Sequence, residues 1–151
     1  MSPTPTLLAL LKSFEANCQQ SYCWVGKRPV AANDHQTAHA IARSAGLPST
    51  DSYPLTDDTL LRLDREKAIR ILAASGTTSL AYGFHRGPSD EALRATRQAL
   101  AELSENAMFF SNGPWTSGAT TWTPLTDATF DCGVTGFDEQ HAFVFWVEDE
   151  D

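Results

Sequence analysis

The stretch Phe130–Asp151, FDCGVTGFDEQHAFVFWVEDED, decides the fold. Its two apolar runs, about Phe130 to Phe137 and Ala142 to Val147, flank Asp138-Glu139-Gln140, a polar turn of the length that closes an antiparallel hairpin. With a three-residue turn placed there, His141 is expected opposite Phe137 and Asp131 opposite Val147. Along the second run Phe143, Phe145 and Val147 point one way, and Ala142, Val144 and Trp146 the other. Both sets are apolar, so this strand needs cover on both faces. The first run is more mixed, with Asp131 and Thr135 on one side. The closing acids Glu148, Asp149, Glu150 and Asp151 are expected on an exposed surface.

Upstream the pattern is mostly helical. Ser2 to Pro5 reads as a loose lead. Thr6 reads as the N-cap of a helix to about Gln20, with Leu7, Leu8, Leu11, Phe14 and Cys18 on one face. Ser21 to Ala32 holds Tyr22, Trp24 and Val25 and suits a short strand. Asn33, with Gln36 three residues on, caps a helix over Asp34–Ala45 that stops at Gly46. Leu47 to Leu55 reads as a loop. Thr56 is expected to cap a long helix from Asp57 to about Ala74, with Leu61, Ala68, Ile69 and Leu72 inward and Gly76 as its stop. Asp57 and Asp58 would favour the positive end of its dipole.

Ser79–His85 reads as a strand, and Asp90 to about Glu105 as a helix capped by Ser89. Ala107–Ser111 follows as a strand, Asn112-Gly113-Pro114 as a turn. Trp115 to Asp127 reads as a loop with a short strand around Ala119 to Trp122. Helices first and strands last is the α+β pattern. Helices mainly in the N-terminal two thirds are expected to pack on a small, mostly antiparallel sheet ending in the C-terminal hairpin. One domain over residues 1–151 is expected, long enough to bury roughly two thirds of its unfolded surface.

Charge is unevenly placed. The net charge is −8, yet residues 1–97 hold eleven bases against nine acids, while residues 98–151 hold ten acids and no Lys or Arg. Such a segment repels nucleic acid and anionic membrane and attracts basic protein surfaces. No apolar run approaches the ~20 residues of a membrane span. The segment MSPTPTLLALLKSFEANCQQ has no basic residue ahead of its leucines, so it reads as an amphipathic helix and not a secretion signal, and the cytoplasm is the expected compartment. Three cysteines at irregular spacing (Cys18, Cys23, Cys132) do not make a disulfide framework and read as small buried hydrophobes.

Motifs for catalysis are weak. His35 and His39 stand four apart in HQTAH, but the glutamate of HExxH is missing and a solvated helix face is the simpler reading. Arg62, Arg65, Lys67 and Arg70 are interspersed with acids, and Asp58 can pair with Arg62 at helical spacing. Cys132 lies in a strand expected to be buried, where a thiol is inert. The hairpin does not bring His141 to it. The acids of Glu148–Asp151 lack the spacing of a calcium loop, and GFHRG at Gly83–Gly87 fits no nucleotide motif. Trp115 and Trp122 are candidates for interface anchors. No catalytic residue, metal or cofactor is assigned. A small enzyme or ligand-binding domain, with a cleft near Trp115, Trp122 and His85, is the alternative.

The C-terminal third carries a resemblance. Trp122-Thr123-Pro124-Leu125-Thr126-Asp127-Ala128-Thr129-Phe130-Asp131-Cys132-Gly133-Val134, followed after a short turn by Trp146 to Asp151, resembles small acidic immunity proteins encoded beside bacterial polymorphic toxins, including those of type VI secretion and contact-dependent inhibition systems. It covers about 30 of the 151 residues, and the first 120 match no pattern of that family. The resemblance implies a cytoplasmic, cofactor-free protein that performs no reaction and blocks one cognate toxin with a basic active site. The surface expected to do so is Asp138 and Glu139 at the hairpin turn, Glu148, Asp149, Glu150 and Asp151 at the end, and Trp115 and Trp122 as anchors.

Overall fold

A computed structural model of the protein describes residues 4–18, 20–78, 87–115 and 122–149. The hairpin forms where expected, from Phe130–Phe137 (β4) and His141–Asp149 (β5). Its register differs by one residue from expectation: Phe137 pairs with Ala142 and Asp131 with Glu148. The cause is Asp138. Its N–H donates to the His141 carbonyl at 2.9 Å, and its Oδ1 accepts from the N–H groups of Gln140 and His141 at 2.8 and 2.7 Å. Asp138 therefore pairs with His141, and the loop proper shrinks to Glu139-Gln140.

Three further strands, Gln20–Lys27 (β1), Leu61–Leu63 (β2) and Met108–Ser111 (β3), complete a sheet in the order β1-β5-β4-β3-β2. Every pairing is antiparallel. The alternation read along β5 holds. Phe143, Phe145 and Val147 join a core with Leu7, Leu11 and Phe14 of helix α1 (Pro5–Asn17), Ile69 and Leu72 of α3 (Arg65–Thr77) and Leu100 of α4 (Asp90–Leu100). Ala142, Val144 and Trp146 join a second core with Ala38 and Ile41 of α2 (Asp34–Ser44), and with Leu47, Leu60 and Leu125 from the connections. The fold is α+β, with helices on both faces of one sheet.

Asn33 and Ser89 cap α2 and α4, each accepting the N–H three residues on. Helix α1 begins earlier than its leucines suggest, with Thr4 as N-cap and Pro5 in its first turn, where the missing N–H costs nothing. The Leu7 N–H finds an acceptor in Glu102 at 2.7 Å.

The long helix from Asp57 does not form. Residues 57–59 turn, with Thr56 and Thr59 bonded to each other, and Leu61-Arg62-Leu63 pairs with β3 as an edge strand. Leu63 is buried and Leu61 is exposed; with a strand in place of the helix, the Asp58–Arg62 helical pair has no helix to stand on. Asp64 then caps α3, its carboxylate accepting the Lys67 N–H at 2.7 Å. Gly76 lies inside α3 and does not stop it. Helix α1 crosses there so closely that a Cβ on Gly76 would stand 2.2 Å from the Phe14 ring.

His39 is another correction. It is buried, not solvated, while His35 sets its ring edge-on to Phe110, with centroids 5.2 Å apart. Burial, then Arg43 and His35, pushes the His39 imidazole below its ordinary value. Ser79–His85 and Ala119–Thr121 lie outside the described residues, and Trp122 is not in a strand.

Candidate functional site

The register separates the nominated acids. Lys27 pairs with His141 at one end of the sheet, and Gln20 with Glu148 at the other. The hairpin turn and the C-terminal acids thus stand roughly 25–30 Å apart along β5.

At the turn, the carboxylates are committed to the protein itself. Asp138 is only 6% exposed. Besides its own turn, it accepts the Ser104 N–H at 3.0 Å. Burial alone would raise its carboxyl; the N–H donors of Gln140, His141 and Ser104 bring it below the usual range instead. Glu139 is exposed, but it accepts from the Ser104 hydroxyl at 2.8 Å and from Asn106 at 3.2 Å. Arg65 braces the α4 end of this contact, donating to the carbonyls of Leu100 and Ser104 at 2.8 and 2.5 Å. This latch docks the hairpin onto the end of α4. Asp138 is therefore not part of an open acidic surface, because the backbone of a two-residue loop needs its oxygens. The acidic excess after Arg97 shrinks for the same reason: Asp131 and Asp138 are buried, and Glu102 serves α1.

The opposite end is organised by Asp131, which is fully buried. It accepts from Trp146 Nε1 at 3.0 Å, Asn112 Nδ2 at 2.8 Å, the N–H groups of Leu125 and Thr126 at 3.2 and 3.3 Å, and the Thr126 hydroxyl at 3.2 Å. Burial pushes its carboxyl up, and the donors from Trp146, Leu125 and Thr126 pull it back. Asn112, also buried, ties this hub to the neighbouring loop. Its Nδ2 donates to the Thr123 carbonyl at 3.0 Å, and its own carbonyl takes the Thr123 N–H at 2.8 Å.

That clamp places Trp122 against Phe130, with centroids 5.6 Å apart and planes at 28°, and Trp115 against Trp122, at 5.3 Å and 20°. Trp115 Nε1 points back to Ser111 Oγ and Asn112 Oδ1 at 3.2 and 3.3 Å. Its φ of +49° lies in the left-handed region, which costs a non-glycine residue on the order of 1 kcal/mol. The stack and the two hydrogen bonds hold it there. All three rings are half-buried.

Phe130 pairs directly with Asp149 across the ladder, so the aromatic step and that carboxylate share one end and one face of the sheet. Glu148 lies on the other face, where it accepts from the Tyr22 hydroxyl. The structure thus brings together Trp115, Trp122 and Asp149, with Glu148 on the opposite face of the same strand, and leaves Asp138 and Glu139 far away. Glu150, Asp151 and His85 lie outside the described residues. Phe130, Asn112 and Asp131 were not nominated as site residues. Phe130 reads as an ordinary strand residue, and the others act through contacts across the fold that spacing along the chain does not report.

Such a step, three rings deep and edged by carboxylate, suits a basic side chain presented with apolar surface around it. Thiolate chemistry has little footing at the three cysteines. Cys132 is fully buried and its thiol is pushed up by that burial. Burial likewise raises Cys18 and carries Cys23 to about 11. Among the described residues no group of three His, Cys, Asp or Glu is placed to hold a metal ion, and no helix is long and apolar enough to cross a membrane. A groove of about 720 Å³ lies at the hairpin-turn end, against Val25, Lys27, Arg28, Val30, Gln140 and His141. It is not lined by Trp115 or Trp122.

No family model matches the chain, and neither does any curated protein or solved structure. Within the stretch Trp122–Val134 and the closing strand, Leu125, Thr126, Asp131 and Trp146 are buried together as parts of the Asp131 hub.

Proposed function

We propose that this is a non-catalytic binding protein of the immunity type, acting in the cytoplasm, whose partner is a toxin with a basic surface. The observation that carries the reading is the half-exposed Trp115–Trp122–Phe130 step beside Asp149. Tryptophans held in place before binding lose little conformational freedom on docking, and pre-organised aromatic anchors dominate interface energies. The carboxylates beside them steer a basic partner and reject an acidic one. The turn acids Asp138 and Glu139 belong to the latch and leave the binding surface.

The test is co-expression with a basic toxin encoded in the adjacent gene, scored by cell survival and by calorimetry on the purified pair. A stoichiometric complex is expected. Trp122→Ala is expected to weaken it by about 2 kcal/mol. Asp149→Lys is expected to slow association, with less salt dependence than the unchanged protein. Glu139→Lys, at the far end, is expected to leave binding as it was. A complex indifferent to both Trp122→Ala and Asp149→Lys would remove this surface from the function.

A further inference from the structure

The outer edge of β1 is open in a way that sheet proteins usually avoid. The Arg28 N–H donates to the Gln140 carbonyl at 2.9 Å, which marks residues 28 and 140 as a hydrogen-bonded pair in the β1–β5 ladder. Because such pairs alternate, the even residues of β1 bond inward to β5. Ser21, Cys23, Val25 and Lys27 therefore turn their N–H and C=O groups outward. Among the described residues no backbone group outside the sheet meets them.

Edge strands are normally blunted by proline, a bulge, inward charge or shortness. The opposite edge, β2, is three residues long. Strand β1 runs for eight residues, in unbroken register with β5, with no proline and one lysine at its end.

We propose that β1 pairs antiparallel with β1 of a second copy, about a two-fold axis at Trp24, joining two five-stranded sheets into one. An axis perpendicular to the sheet keeps each face on its own side, so residues of like parity must meet. Centring on Trp24 sets Ser21 opposite Lys27 of the second copy and Cys23 opposite its Val25. That register uses all the outward groups, about eight hydrogen bonds, whereas centring on Cys23 leaves Lys27 beyond the match.

Side chains fit the same register. Trp24 would face its own copy at a close, non-hydrogen-bonded position, with Tyr22 of each copy opposite Gly26 of the other. The Trp24 ring already lies over Gly26, where a Cβ would stand 2.5 Å from it. The half-exposed Tyr22 and Trp24 would become one continuous aromatic row.

Charge selects a second copy as the occupant. The two ends of β1 carry opposite signs: exposed Lys27, followed by Arg28, at one end, and Glu148 and Asp149 beside the Gln20 end. A two-fold axis lays each basic end beside the other copy's acidic end. The contact is a single strand pair, at the small end of interface sizes, and each copy carries a net charge of −8. A weak, concentration-dependent dimer is therefore expected at physiological salt, where the overall repulsion is screened.

Sedimentation equilibrium over a concentration series tests this. The unchanged protein is expected to show a monomer–dimer equilibrium. Lys27→Glu alters an exposed side chain, and the axis places it in the contact twice; about tenfold weaker dimerisation is expected. Ser21→Pro removes an outward N–H and leaves the β5 ladder intact; it should weaken the dimer while urea unfolding stays cooperative. A third variant, Trp24→Cys with Cys18→Ser and Cys23→Ser, should form an intermolecular disulfide under mild oxidation. A protein monomeric at every concentration overturns the proposal. So does a dimer that neither Lys27→Glu nor Ser21→Pro weakens, which would place the contact elsewhere. Neither result bears on toxin binding, which is measured separately.

Discussion

At the scale of single residues, Asp131 explains most about the end of the sheet that carries Trp115 and Trp122. It is a buried carboxylate whose described hydrogen-bond partners are all uncharged donors. Removing it strands the Trp146 indole N–H and the Leu125 and Thr126 amides in the interior. Each unsatisfied group costs about 1–3 kcal/mol, partly offset because a charge no longer has to be buried. Asp131→Ala is therefore expected to lower unfolding free energy by about 3 kcal/mol in urea titrations. Asp131→Asn should recover little, since its amide would turn a donor toward other donors. Both should also weaken the near-ultraviolet dichroism of the stacked tryptophans, because Asn112 holds Asp131 and the Thr123 segment together. An Asp131→Asn protein as stable as the unchanged one would refute this account of the hub. Little of this was legible beforehand. Asp131 stood out only as a polar residue in an apolar strand, and its partners lie five, six, fifteen and nineteen positions away. The tryptophans stood out as anchor candidates because two large rings fall in a Thr-rich loop.

At the scale of elements, the contact between α1 and α3 sets a sharper test. Gly76 sits in the last turn of α3, where helix propensity alone would favour alanine, by up to about 1 kcal/mol. Here the added methyl would meet the Phe14 ring at 2.2 Å. Phe14 is itself buried, and its ring packs on Phe145 with centroids 5.7 Å apart. Gly76→Ala is expected to destabilise the fold by about 1–3 kcal/mol in spite of helix propensity, measured as a lower urea midpoint at unchanged slope. A more stable variant would mean that α1 is not held against α3 as described. The same contact shows why elements were read unevenly. Caps such as Asn33 and Ser89 act within three residues, so they could be seen locally. The hairpin could be seen because period-two alternation and a polar turn are also local. The error at Asp57–Ala74 came from a competing long-range partner: Leu61-Arg62-Leu63 is short enough to follow β3 out of the helical pattern. The one-residue slip in the hairpin came from a side chain, Asp138, that shortened the loop by bonding its backbone.

At the scale of the whole molecule, the sheet is one layer thick between two cores, and β5 contributes alternate residues to each. Both cores lean on β5, so the loss of packing on one face of this strand is felt by the residues that it presents to the other. Unfolding is therefore expected to be a single transition, although the cores are built from different parts of the chain. Leu72→Ala strikes the core under α1, α3 and α4, and Leu125→Ala the core under α2. Each removes a fully buried leucine, for an expected loss of about 2–5 kcal/mol, depending on how far the site collapses. Far-ultraviolet dichroism and tryptophan fluorescence should report the same midpoint within each variant, and amides throughout β4 and β5 should lose exchange protection together. Independent cores would behave otherwise: Leu125→Ala would release Trp146 and α2 in an early step and leave the α1–α3–α4 side protected. Two separated transitions, or protection lost on one face of the sheet alone, would show that the shared strand does not couple them.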